Sequence, residues 1–549
     1  MASTTSTTSS TAGPTLVDVF HRHDAAQASA PAIGIPRADK SPRLSYRRYH
    51  DLCLQLADTL DRTLDLARGD IVIIVLPNGL ACTAAFLACA GLGWTAAPLN
   101  PAYNAEEVRF YIEDTGSRVV IVPAGSSQAN APAVQAATQL GCRVIEVAEG
   151  GDDVLADGTS KILAATSEPQ PEQVWRAQPD DVALVLHTSG TTGRPKCVPL
   201  THRNIRTTMD NIARTYKLTA DDRSLVVMPL FHVHGLIASF LSTLISGGMC
   251  IVPAKFSASA FWSQISEFNA TWYSAVPTIH TILLRTPVPD PLPKLRFIRS
   301  CSSALAPHTL EQLESAFKAP VLEAYAMTEA AHQMCSNPLP PAEHRPGTVG
   351  MPQGVELTIR DDNGRAVPAG EQGEVCVRGL NVTAGYRDNP EANRTGFFPA
   401  DPAEPAPASG ADSRWFRTGD RGRLDVDGYL TITGRIKELI NRGGEKISPI
   451  EVDSVLLSCP GVRDAVCFAA PDDVYGEVVH CAVVSEHVAD ADAATQEELA
   501  AEAQRIQAYC RQKLSTFKVP SRLYIMNTIP KTATGKVQRR LVAAKVQSA

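Results

Sequence analysis

Short apolar runs alternate with segments of helical periodicity up to about residue 330, and this alternation limits the possible folds more than any other feature. Chains of this pattern build parallel sheets that are covered by helices. We therefore predict an α/β protein. The predicted strands are Ile71 to Leu76, Arg118 to Val122, Val182 to Leu186, Ser224 to Met228, Cys250 to Val252, Thr271 to Ala275 and Arg296 to Ile298. The predicted helices are Thr83 to Ala90, Ala105 to Glu113, Arg203 to Tyr216 and His308 to Phe317.

The pattern changes twice in the rest of the chain. From about 350 to 434, short strands such as Glu356 to Arg360 are separated by turn residues, which predicts a small β-rich subdomain. A Pro/Ala/Ser-rich insert between Phe398 and Arg414 is expected to be an exposed flexible loop without a chemical role. Beyond Gly434, a new α+β pattern predicts a second and smaller domain. Its predicted elements are helices at Ser448 to Leu457 and Gln496 to Lys513, and strands at Val462 to Ala469, Val478 to Val484 and Arg522 to Met526.

The composition excludes several classes of protein. Lys and Arg number 51 and Asp and Glu number 58, so the net charge of −7 offers no basic field for nucleic acid or an anionic membrane. With 549 residues, 44% of them hydrophobic and 20% charged, the chain can bury a large core. The 13 cysteines form no C-x-x-C pair, which favours reduced thiols over a disulfide framework.

Targeting signals are weak. Residues 1–14 are rich in Ser and Thr, lack the basic and apolar regions of a secretory signal, and are predicted to be a disordered tail. The uncharged run from Gly235 to Ala254 contains Ser, Thr and Gly, which favours a buried helix followed by a buried strand over a membrane span. The C-terminal KVQSA does not match a peroxisomal S-K-L address. We expect a cytoplasmic protein, with peroxisomal import through a non-standard signal as the alternative. The oligomeric state is left open, and a monomer is compatible with the sequence.

A loop rich in glycine and hydroxyl residues, His187-Thr-Ser-Gly-Thr-Thr-Gly-Arg-Pro-Lys196, follows the predicted strand Val182 to Leu186. Glycines let backbone N–H groups approach phosphate oxygens, the hydroxyls add donors, and the lysine adds a positive charge. The Walker pattern does not fit these residues. The loop therefore predicts a polyphosphate site. Its candidate residues are Thr188, Ser189, Gly190, Thr191, Thr192, Gly193 and Lys196.

Further motifs follow along the chain. They are Pro229-Leu-Phe-His-Val-His-Gly235, Tyr325-Ala-Met-Thr-Glu329, Trp415-Phe-Arg-Thr-Gly-Asp420, Gly434-Arg-Ile-Lys-Glu-Leu-Ile-Asn-Arg-Gly-Gly-Glu445 and Pro530-Lys-Thr-Ala-Thr-Gly-Lys536. Together with the loop, they resemble the adenylate-forming superfamily of acyl-CoA synthetases, 4-coumarate–CoA ligases, luciferases and peptide-synthetase adenylation domains. The resemblance covers nearly the whole chain. It implies an N-terminal AMP-binding domain at 15–434, a hinge at 435–437 and a mobile C-terminal domain at 438–549.

The resemblance also implies the substrates ATP and CoA, the cofactor Mg²⁺, and roles for particular residues. Thr328 matches the donor to the α-phosphate, and Glu329 matches the Mg²⁺ ligand, for which a carboxylate oxygen is a suitable hard partner. Tyr325 would stack on adenine. Asp420 and Arg435 would hold the ribose hydroxyls. The other residues assigned to ATP or AMP are Ser302, Ser303, Ala304, Glu323 and Ala324.

Three motif positions imply a two-step reaction. Lys536 matches the catalytic lysine, whose charge would lie between the acid's carboxylate and the α-phosphate. Lys437 matches the hinge, about which the C-terminal domain would turn between the half-reactions. Gly443 and Gly444, which carry no side chain, would then let the pantetheine arm of CoA pass close to the backbone.

The acyl pocket is predicted to be polar. His232 matches the gate residue beside the reacting carboxylate. His234, His332, Ser302 and Arg299 could offer hydrogen-bond donors to a small anionic acid, and a fatty chain would find them costly to desolvate. The motif wording is most similar to the oxalate–CoA ligases, which implies oxalate, ATP and CoA as substrates and a role in oxalate degradation. Malonate–CoA ligases share His-x-His-Gly and are the near alternative. Medium-chain and 4-coumarate-type ligases remain open if His234 and His332 are structural.

Other classes of function make different predictions. A domain that loads a carrier protein would be followed by a module with a phosphopantetheine serine, and none follows Lys536. A regulatory protein that has lost catalysis should lack one of the charged motif residues. All are present, namely Lys196, Glu329, Asp420, Arg435 and Lys536. A luciferase-like oxygenase is disfavoured by the polar pocket.

Overall fold

The predicted alternation of strands and helices is confirmed in a computed structural model, which describes residues 13–20, 25–37, 41–148, 174–188, 195–402, 404–407, 411–532 and 534–547. The described chain divides into two compact units. One comprises Met1–Phe256, Thr328–His332 and Leu380–Pro390, and the other comprises Ser257–Met327, Gln333–Gly379 and Glu391–Ala549. Most of the predicted N-terminal tail, 1–12, lies outside the described residues.

The first unit contains two sheets. Its strands are β1 (Pro31–Gly34), β2 (Arg43–Ser45), β3 (Ile71–Ile74), β4 (Thr95–Pro98), β5 (Val119–Pro123), β6 (Arg143–Val147), β7 (Val182–Thr188), β8 (Lys196–Thr201), β9 (Arg223–Leu225) and β10 (Met249–Ile251). One sheet has the order β6-β5-β3-β4-β7-β8, and β9-β10-β1-β2 are neighbours in the other. The strands are parallel except for the antiparallel pairs β7–β8 and β1–β2.

Helices cover these sheets, which is why the central strands are apolar on both faces. The helices of the first unit are α1 (Ala25–Ala28), α2 (Tyr46–Thr63), α3 (Leu80–Gly91), α4 (Ala105–Thr115), α5 (Pro132–Gln139), α6 (His202–Thr215) and α7 (Ser242–Ile245), with 3-10 turns at Leu16–Val19 and Thr328–Ala330. Helix α4 begins at the capping residue Asn104, which exchanges hydrogen bonds with Glu107, and ends at Gly116 with a φ of 68°.

The uncharged run from Gly235 to Ala254 is buried apart from Ser246 and Ala254, in agreement with the prediction of a buried helix and strand. It begins within a π-helix at His234–Leu241, continues through α7 and ends in β10. Ser239 Oγ donates to the carbonyl of His234, and Ser242 Oγ donates to that of Ile237. In an α-helix, these carbonyls would accept from backbone N–H groups four residues further along the chain. Among the described residues, no helix combines the length and apolar character that a membrane span needs.

The second unit contains the remaining strands. They are β11 (Trp272–Ala275), β12 (Phe297–Ser300), β13 (Val321–Met327), β14 (His332–Ser336), β15 (Met351–Pro352), β16 (Glu356–Arg360), β17 (Gly373–Arg378), β18 (Phe397–Phe398), β19 (Trp415–Leu424), β20 (Leu430–Arg435), β21 (Ile440–Arg442), β22 (Glu445–Ile447), β23 (Val462–Asp472), β24 (Gly476–Ser485) and β25 (Arg522–Ile525). They form the series β15-β14-β13-β12-β11, the β-rich sheet β16-β17-β19-β18 with β20 beside β19, and the sheet β22-β21-β24-β23 with β25 beside β24.

The second unit also contains helices. They are α8 (Ala258–Phe268), α9 (Pro277–Leu284), α10 (Pro307–Phe317), α11 (Pro390–Gly396), α12 (Pro449–Leu457), α13 (Gln496–Lys513) and α14 (Arg539–Gln547), with 3-10 turns at Ile436–Glu438 and Thr516–Lys518. The core of the last sheet packs Ile440, Val452, Cys481 and Ile506 together. The domain boundary at 435–437 stays a prediction.

The Pro/Ala/Ser-rich insert departs from its prediction. Glu404 pairs with Arg360 at 2.5 Å and accepts a hydrogen bond from the indole N–H of Trp415 at 2.7 Å, and Arg378 donates to the carbonyl of Pro405 at 2.7 Å. The described part of the insert is therefore attached to the β-rich sheet and is not a uniformly exposed loop. The ion pairs that hold it join residues far apart in sequence, and composition does not reveal them.

Candidate active site

In the first unit, Glu329 is held in a buried position directly after strand β13. The 3-10 turn Thr328–Ala330 carries it, and only 5% of the residue is exposed. The phenol of Tyr386 donates to Glu329 Oε1 at 2.9 Å, and the backbone N–H of Thr383 donates to the Glu329 carbonyl at 2.7 Å. Lys196 Nζ lies 4.6 Å from the centre of the Tyr386 ring. Tyr386 thus contacts both a predicted Mg²⁺ ligand and a predicted phosphate ligand.

The sequence did not single out Tyr386, although a signal was present. The residue follows Gly385 in a loop of small and polar residues, where a lone aromatic side chain is unusual. Its partner Lys196 lies opposite Thr188 in the antiparallel pair of β7 and β8, so both ends of the predicted phosphate loop are fixed by strand pairing. Ser189, Gly190, Thr191, Thr192 and Gly193 lie outside the described residues.

Three histidines of the first unit lie near one another. His234 and His332 are buried, and their ring centroids are 5.3 Å apart. His232 is half-buried, and its Nδ1 accepts a hydrogen bond from the backbone N–H of His234 at 3.2 Å. This hydrogen bond requires an unprotonated Nδ1 in His232, which leaves the ring's Nε2 to carry the proton.

The backbone around these histidines is tightly constrained. A Cβ atom on Gly235 would lie 2.2 Å from the carbonyl oxygen of Pro229, so only glycine fits beside His234. Ala331 and His332 have positive φ angles of 49° and 109°, which residues other than glycine rarely adopt. Such strain persists where surrounding contacts enforce it, and it is concentrated at functional sites.

In the second unit, the buried Asp420 and Tyr325 form a polar cluster with the exposed Arg435. Asp420 is 4% exposed and accepts a hydrogen bond from the Tyr325 phenol. Its other oxygen lies 3.0 Å from Arg435 Nε, because the two residues are opposite each other on β19 and β20. Burial raises the pKa of Asp420, and the charges of Arg435 and Lys536 offset this only in part. The hydrogen bond from Tyr325 and the contact with Arg435 fix the orientation of the carboxyl group.

Lys536 lies on a defined turn near the end of the second unit. The backbone N–H of Lys536 donates to Thr532 Oγ1 at 3.0 Å, and its carbonyl accepts from the N–H of Thr532 at 2.8 Å. The hydroxyl of Thr278, at the start of α9, donates to the carbonyl of Gly535 at 3.0 Å. Gly535 has a φ of 81°. The turn therefore fixes the backbone of the predicted catalytic lysine.

Arg299 and Ser302 stand at the carboxyl end of β12. Arg299 is fully buried and donates to Ser274 Oγ at 3.1 Å and to Gln333 Oε1 at 3.3 Å. Both of these partners are uncharged polar groups. Ser302 is half-buried with a φ of 75°, and the neighbouring Ser303 and Ala304 are exposed.

Glu323 lies on β13 before Ala324 and Tyr325, and it is a buried acid with a raised pKa. Burial raises the pKa of its carboxyl to about 8, and the N–H of Gly347, which donates at 2.9 Å, offsets this only in part. The side chain is therefore largely protonated at neutral pH, which lets it donate as well as accept a hydrogen bond.

The raised pKa of Glu323 predicts a pH-dependent stability. Because the folded protein holds this proton more tightly than the unfolded chain does, the contribution is fully present below about pH 4 and is lost as the pH rises toward 8. We expect thermal unfolding scans to show a loss of about 3 kcal/mol of stability from pH 5 to pH 8.5 that Glu323→Gln does not show. The exposed Glu311→Gln is the control. Equal pH slopes for wild type and Glu323→Gln would contradict this pKa.

The predicted hinge and CoA residues lie on irregular backbone. Lys437 is exposed in the 3-10 turn Ile436–Glu438. Gly443 and Gly444 form the turn between β21 and β22 with φ angles of 59° and 96°, and the N–H of Gly443 donates to the carbonyl of Tyr475 at 2.8 Å. Tyr475 also packs against Arg442, whose guanidinium lies 4.2 Å from the ring centre. The sequence did not single out this pair.

The predicted site residues thus fall into two sets. The first unit holds the described ends of the phosphate loop with Thr328, Glu329 and the three histidines. The second unit holds the cluster around Asp420 with Lys536, Arg299, Glu323 and the glycine turn. The first set supplies a cation, a hydroxyl and a hard carboxylate, and the second set supplies cations and a buried carboxyl group. Groups of these kinds bind nucleoside triphosphates and their metal ions.

Comparison with known families gives a consistent result. The family described as AMP-binding enzyme matches residues 20–387, and the family described as AMP-binding enzyme C-terminal domain matches residues 451–536. A protein named oxalate–CoA ligase from Arabidopsis thaliana is 47% identical over 91% of this chain and 93% of its own length. A Saccharomyces cerevisiae protein of the same name is 46% identical over 87% of each chain.

Solved structures are similar over the whole length. ATP-bound MatB from Rhodopseudomonas palustris is 27% identical, with a TM-score of 0.81 over 97% of this chain and 98% of its own. The o-succinylbenzoate coenzyme A synthetase MenE from Bacillus subtilis, in complex with ATP and magnesium ion, is also 27% identical, with a TM-score of 0.77 over 96% and 98% of the two chains. The fold is therefore shared with proteins whose structures hold ATP.

Proposed function

Since this chain belongs to the AMP-binding enzyme family and is an AMP-forming acyl-CoA ligase, we propose that it joins oxalate to CoA. In the first half-reaction, oxalate and ATP give oxalyl-adenylate and pyrophosphate. In the second, the CoA thiol displaces AMP and gives oxalyl-CoA. Two relatives that match most of the chain carry this activity in their names, which supports the proposal.

The observation that carries the proposal is the buried pair of His234 and His332, with His232 beside it. Imidazoles in an interior position donate hydrogen bonds to a second carboxylate, whereas an alkyl chain would bury their polar atoms without replacing their hydrogen bonds. The histidine pair therefore favours a short anionic acid over a fatty acid.

The first half-reaction concentrates negative charge. One carboxylate oxygen of oxalate attacks the α-phosphorus of ATP, a new P–O bond forms, and the bond to the β-phosphate oxygen breaks as pyrophosphate leaves. Lys536 and Lys196 would balance the charge that develops on the phosphates, and the hydroxyl of Thr328 would donate to the α-phosphate. Tyr325, Asp420 and Arg435 would hold the adenosine in place.

The residues around Glu329 fit a magnesium ion. The buried carboxylate is a hard oxygen ligand, and the phenol of Tyr386 donates to its Oε1. Bound Mg²⁺ would neutralise part of the triphosphate charge. Glu329 would hold the ion, and Tyr386 orients Glu329.

The second half-reaction needs access for a thiol. The sulfur of CoA attacks the carbonyl carbon of oxalyl-adenylate, its proton passes to solvent, and the C–O bond to AMP breaks. The turn at Gly443 and Gly444 presents backbone without side chains, which suits the narrow pantetheine arm. Rotation at Lys437 would exchange this turn for Lys536 between the two steps.

The turn that carries Lys536 allows a first test of this mechanism. In Gly535→Ala, the new Cβ would lie 3.0 Å from Val276 Cγ2 at a φ of 81°, so the turn must shift. We expect adenylation, measured as pyrophosphate release, to slow by about tenfold because misplacement of a charged group weakens its effect on the transition state. The control Gly370→Ala has a φ of 90° and nothing within 4 Å of its Cβ. Unchanged pyrophosphate release in Gly535→Ala would contradict this role.

The proposed substrate is tested with a panel of acids. Purified enzyme, ATP, Mg²⁺ and CoA are incubated with oxalate, malonate, acetate, octanoate or 4-coumarate, and the acyl-CoA products are quantified by mass spectrometry. We expect oxalyl-CoA to predominate. His234→Phe should lower kcat/KM for oxalate by about 10- to 100-fold, since hydrogen bonds to a charged group are lost, while the exposed His308→Phe should not. His332→Asn, which tolerates a positive φ, is the second variant.

The other outcomes of the panel distinguish the alternatives. A preference for malonate would support an anionic acyl pocket but identify malonate, and not oxalate, as the substrate. A preference for octanoate or 4-coumarate would contradict the role of His234 and His332, and leave only the ligase reaction in place.

A further inference from the structure

Asp114, His187 and Cys197 bring three different metal-binding groups together in the first unit. Nε2 of His187 lies 2.9 Å from Asp114 Oδ2, and the candidate ligand atoms of all three residues lie within 4.8 Å of one another. The mechanism of acid activation assigns no task to any of them. The cluster is independent of the proposed function.

The fold holds these groups on regular elements. His187 on β7 and Cys197 on β8 are directly opposite each other in the antiparallel pair, so their side chains share one face of the sheet. Asp114 stands in the last turn of α4, whose end is fixed by Gly116. The His187 side chain is 5% exposed and that of Asp114 17%, and the Tyr111 ring packs against the imidazole with 4.7 Å between centroids. Ligands on strands and helices are placed more accurately than ligands on loops.

We propose that Asp114, His187 and Cys197 form a binding site for a thiophilic divalent cation of the zinc type. Zinc takes a thiolate sulfur at about 2.3 Å and imidazole nitrogen or carboxylate oxygen at about 2.0 Å, so ligand atoms in a tetrahedral site stand about 3.3–3.7 Å apart. The three groups reach that spacing with small side-chain movements. A thiolate and a carboxylate balance both charges of the cation, and water completes the tetrahedron. The sulfur and nitrogen ligands disfavour Mg²⁺.

The charges around the cluster are compatible with a bound cation. Arg387 is close enough to affect both His187 and Cys197, but its guanidinium pairs with Asp388 at 3.3 Å. Burial lowers the pKa of His187, which favours the neutral imidazole that a metal requires. Burial raises the pKa of the Cys197 thiol to about 12, so formation of the metal–sulfur bond releases one proton to solvent.

The test is a titration of metal-free, full-length protein with Co²⁺ in the absence of ATP. Cobalt substitutes for zinc and gives a charge-transfer absorption band only when it bonds to a thiolate. We expect one equivalent of Co²⁺ to develop this band and one equivalent of Zn²⁺ to abolish it. Cys197→Ser should lose the band. The control Cys142→Ser removes a half-buried thiol outside the cluster and should keep the band.

Asp114→Asn is a second variant and keeps the proposal testable if Cys197→Ser fails to fold. Asp114→Asn should weaken Co²⁺ binding by at least about tenfold, because mutation even of residues that only hydrogen-bond to a metal ligand typically lowers the metal affinity by that factor. Thermal unfolding of each variant reports its folding. No band at an excess of Co²⁺ in the wild-type protein, or an undiminished band in folded Cys197→Ser, would overturn the site.

Discussion

Replacement of Lys536 by alanine is expected to slow adenylation of the acid by about 10²- to 10³-fold. The lysine would supply positive charge where the carboxylate meets the α-phosphate, and removal of one preorganised charged donor typically costs this much. The turn from Thr532 to Lys536 and the Thr278–Gly535 hydrogen bond hold its backbone in place. The effect should fall on kcat for pyrophosphate release rather than on stability.

Two comparisons separate a catalytic role of Lys536 from a structural one. Lys536→Ala should convert synthetic oxalyl-adenylate and CoA to oxalyl-CoA at nearly the wild-type rate, since that step does not need charge at the α-phosphorus. Lys513→Ala removes an exposed lysine at the end of α13 and should change neither step. Wild-type adenylation by Lys536→Ala would exclude this lysine from the reaction.

Replacement of Glu329 by glutamine is expected to lower kcat/KM for MgATP by about 10²-fold or more and to raise the Mg²⁺ concentration that gives half-maximal rate. Glutamine keeps the shape of the side chain and its hydrogen bond from Tyr386, but it removes the negative charge that a hard cation requires. Steady-state rates over a range of Mg²⁺ concentrations at fixed ATP measure both effects.

Tyr386→Phe provides the graded comparison for Glu329. It removes only the 2.9 Å hydrogen bond that orients the carboxylate, so we expect a loss of about tenfold. Glu391→Gln, at an exposed position of α11, is the neutral control. An unchanged requirement for Mg²⁺ in Glu329→Gln would remove Glu329 from the metal site.

Local signals in the sequence explain which elements could be predicted. The predicted limits of helix α13 match the observed ones. In the structure, Thr495 and Glu498 form a capping box at its start, and Leu514 leaves the helical conformation after it. Strand β9 was predicted to reach Met228 but ends at Leu225. The side chain of Asn78, distant in sequence, donates to the carbonyl of Met228 and accepts from the N–H of Leu230, replacing a strand partner.

The sequence predicts which residues belong to the candidate site, but it does not predict how they are arranged in space. Asp420 and Arg435 were expected from their motifs, and β19 and β20 place them opposite each other. The closeness of His234 and His332 depends on a π-helix and on the strained backbone at His332, and neither follows from propensity. Tyr386 and the cluster of Asp114, His187 and Cys197 depend on contacts between distant segments, which a single sequence does not reveal.

The most direct test of oxalate as the substrate is ATP–pyrophosphate exchange driven by oxalate in the absence of CoA. Labelled pyrophosphate enters ATP only if the enzyme forms oxalyl-adenylate reversibly, so the readout depends on neither CoA nor a coupling enzyme. We expect rapid exchange with oxalate, little with octanoate, and loss of exchange in Lys536→Ala. Exchange driven by octanoate but not by oxalate would contradict the assignment of this chain as an oxalate–CoA ligase.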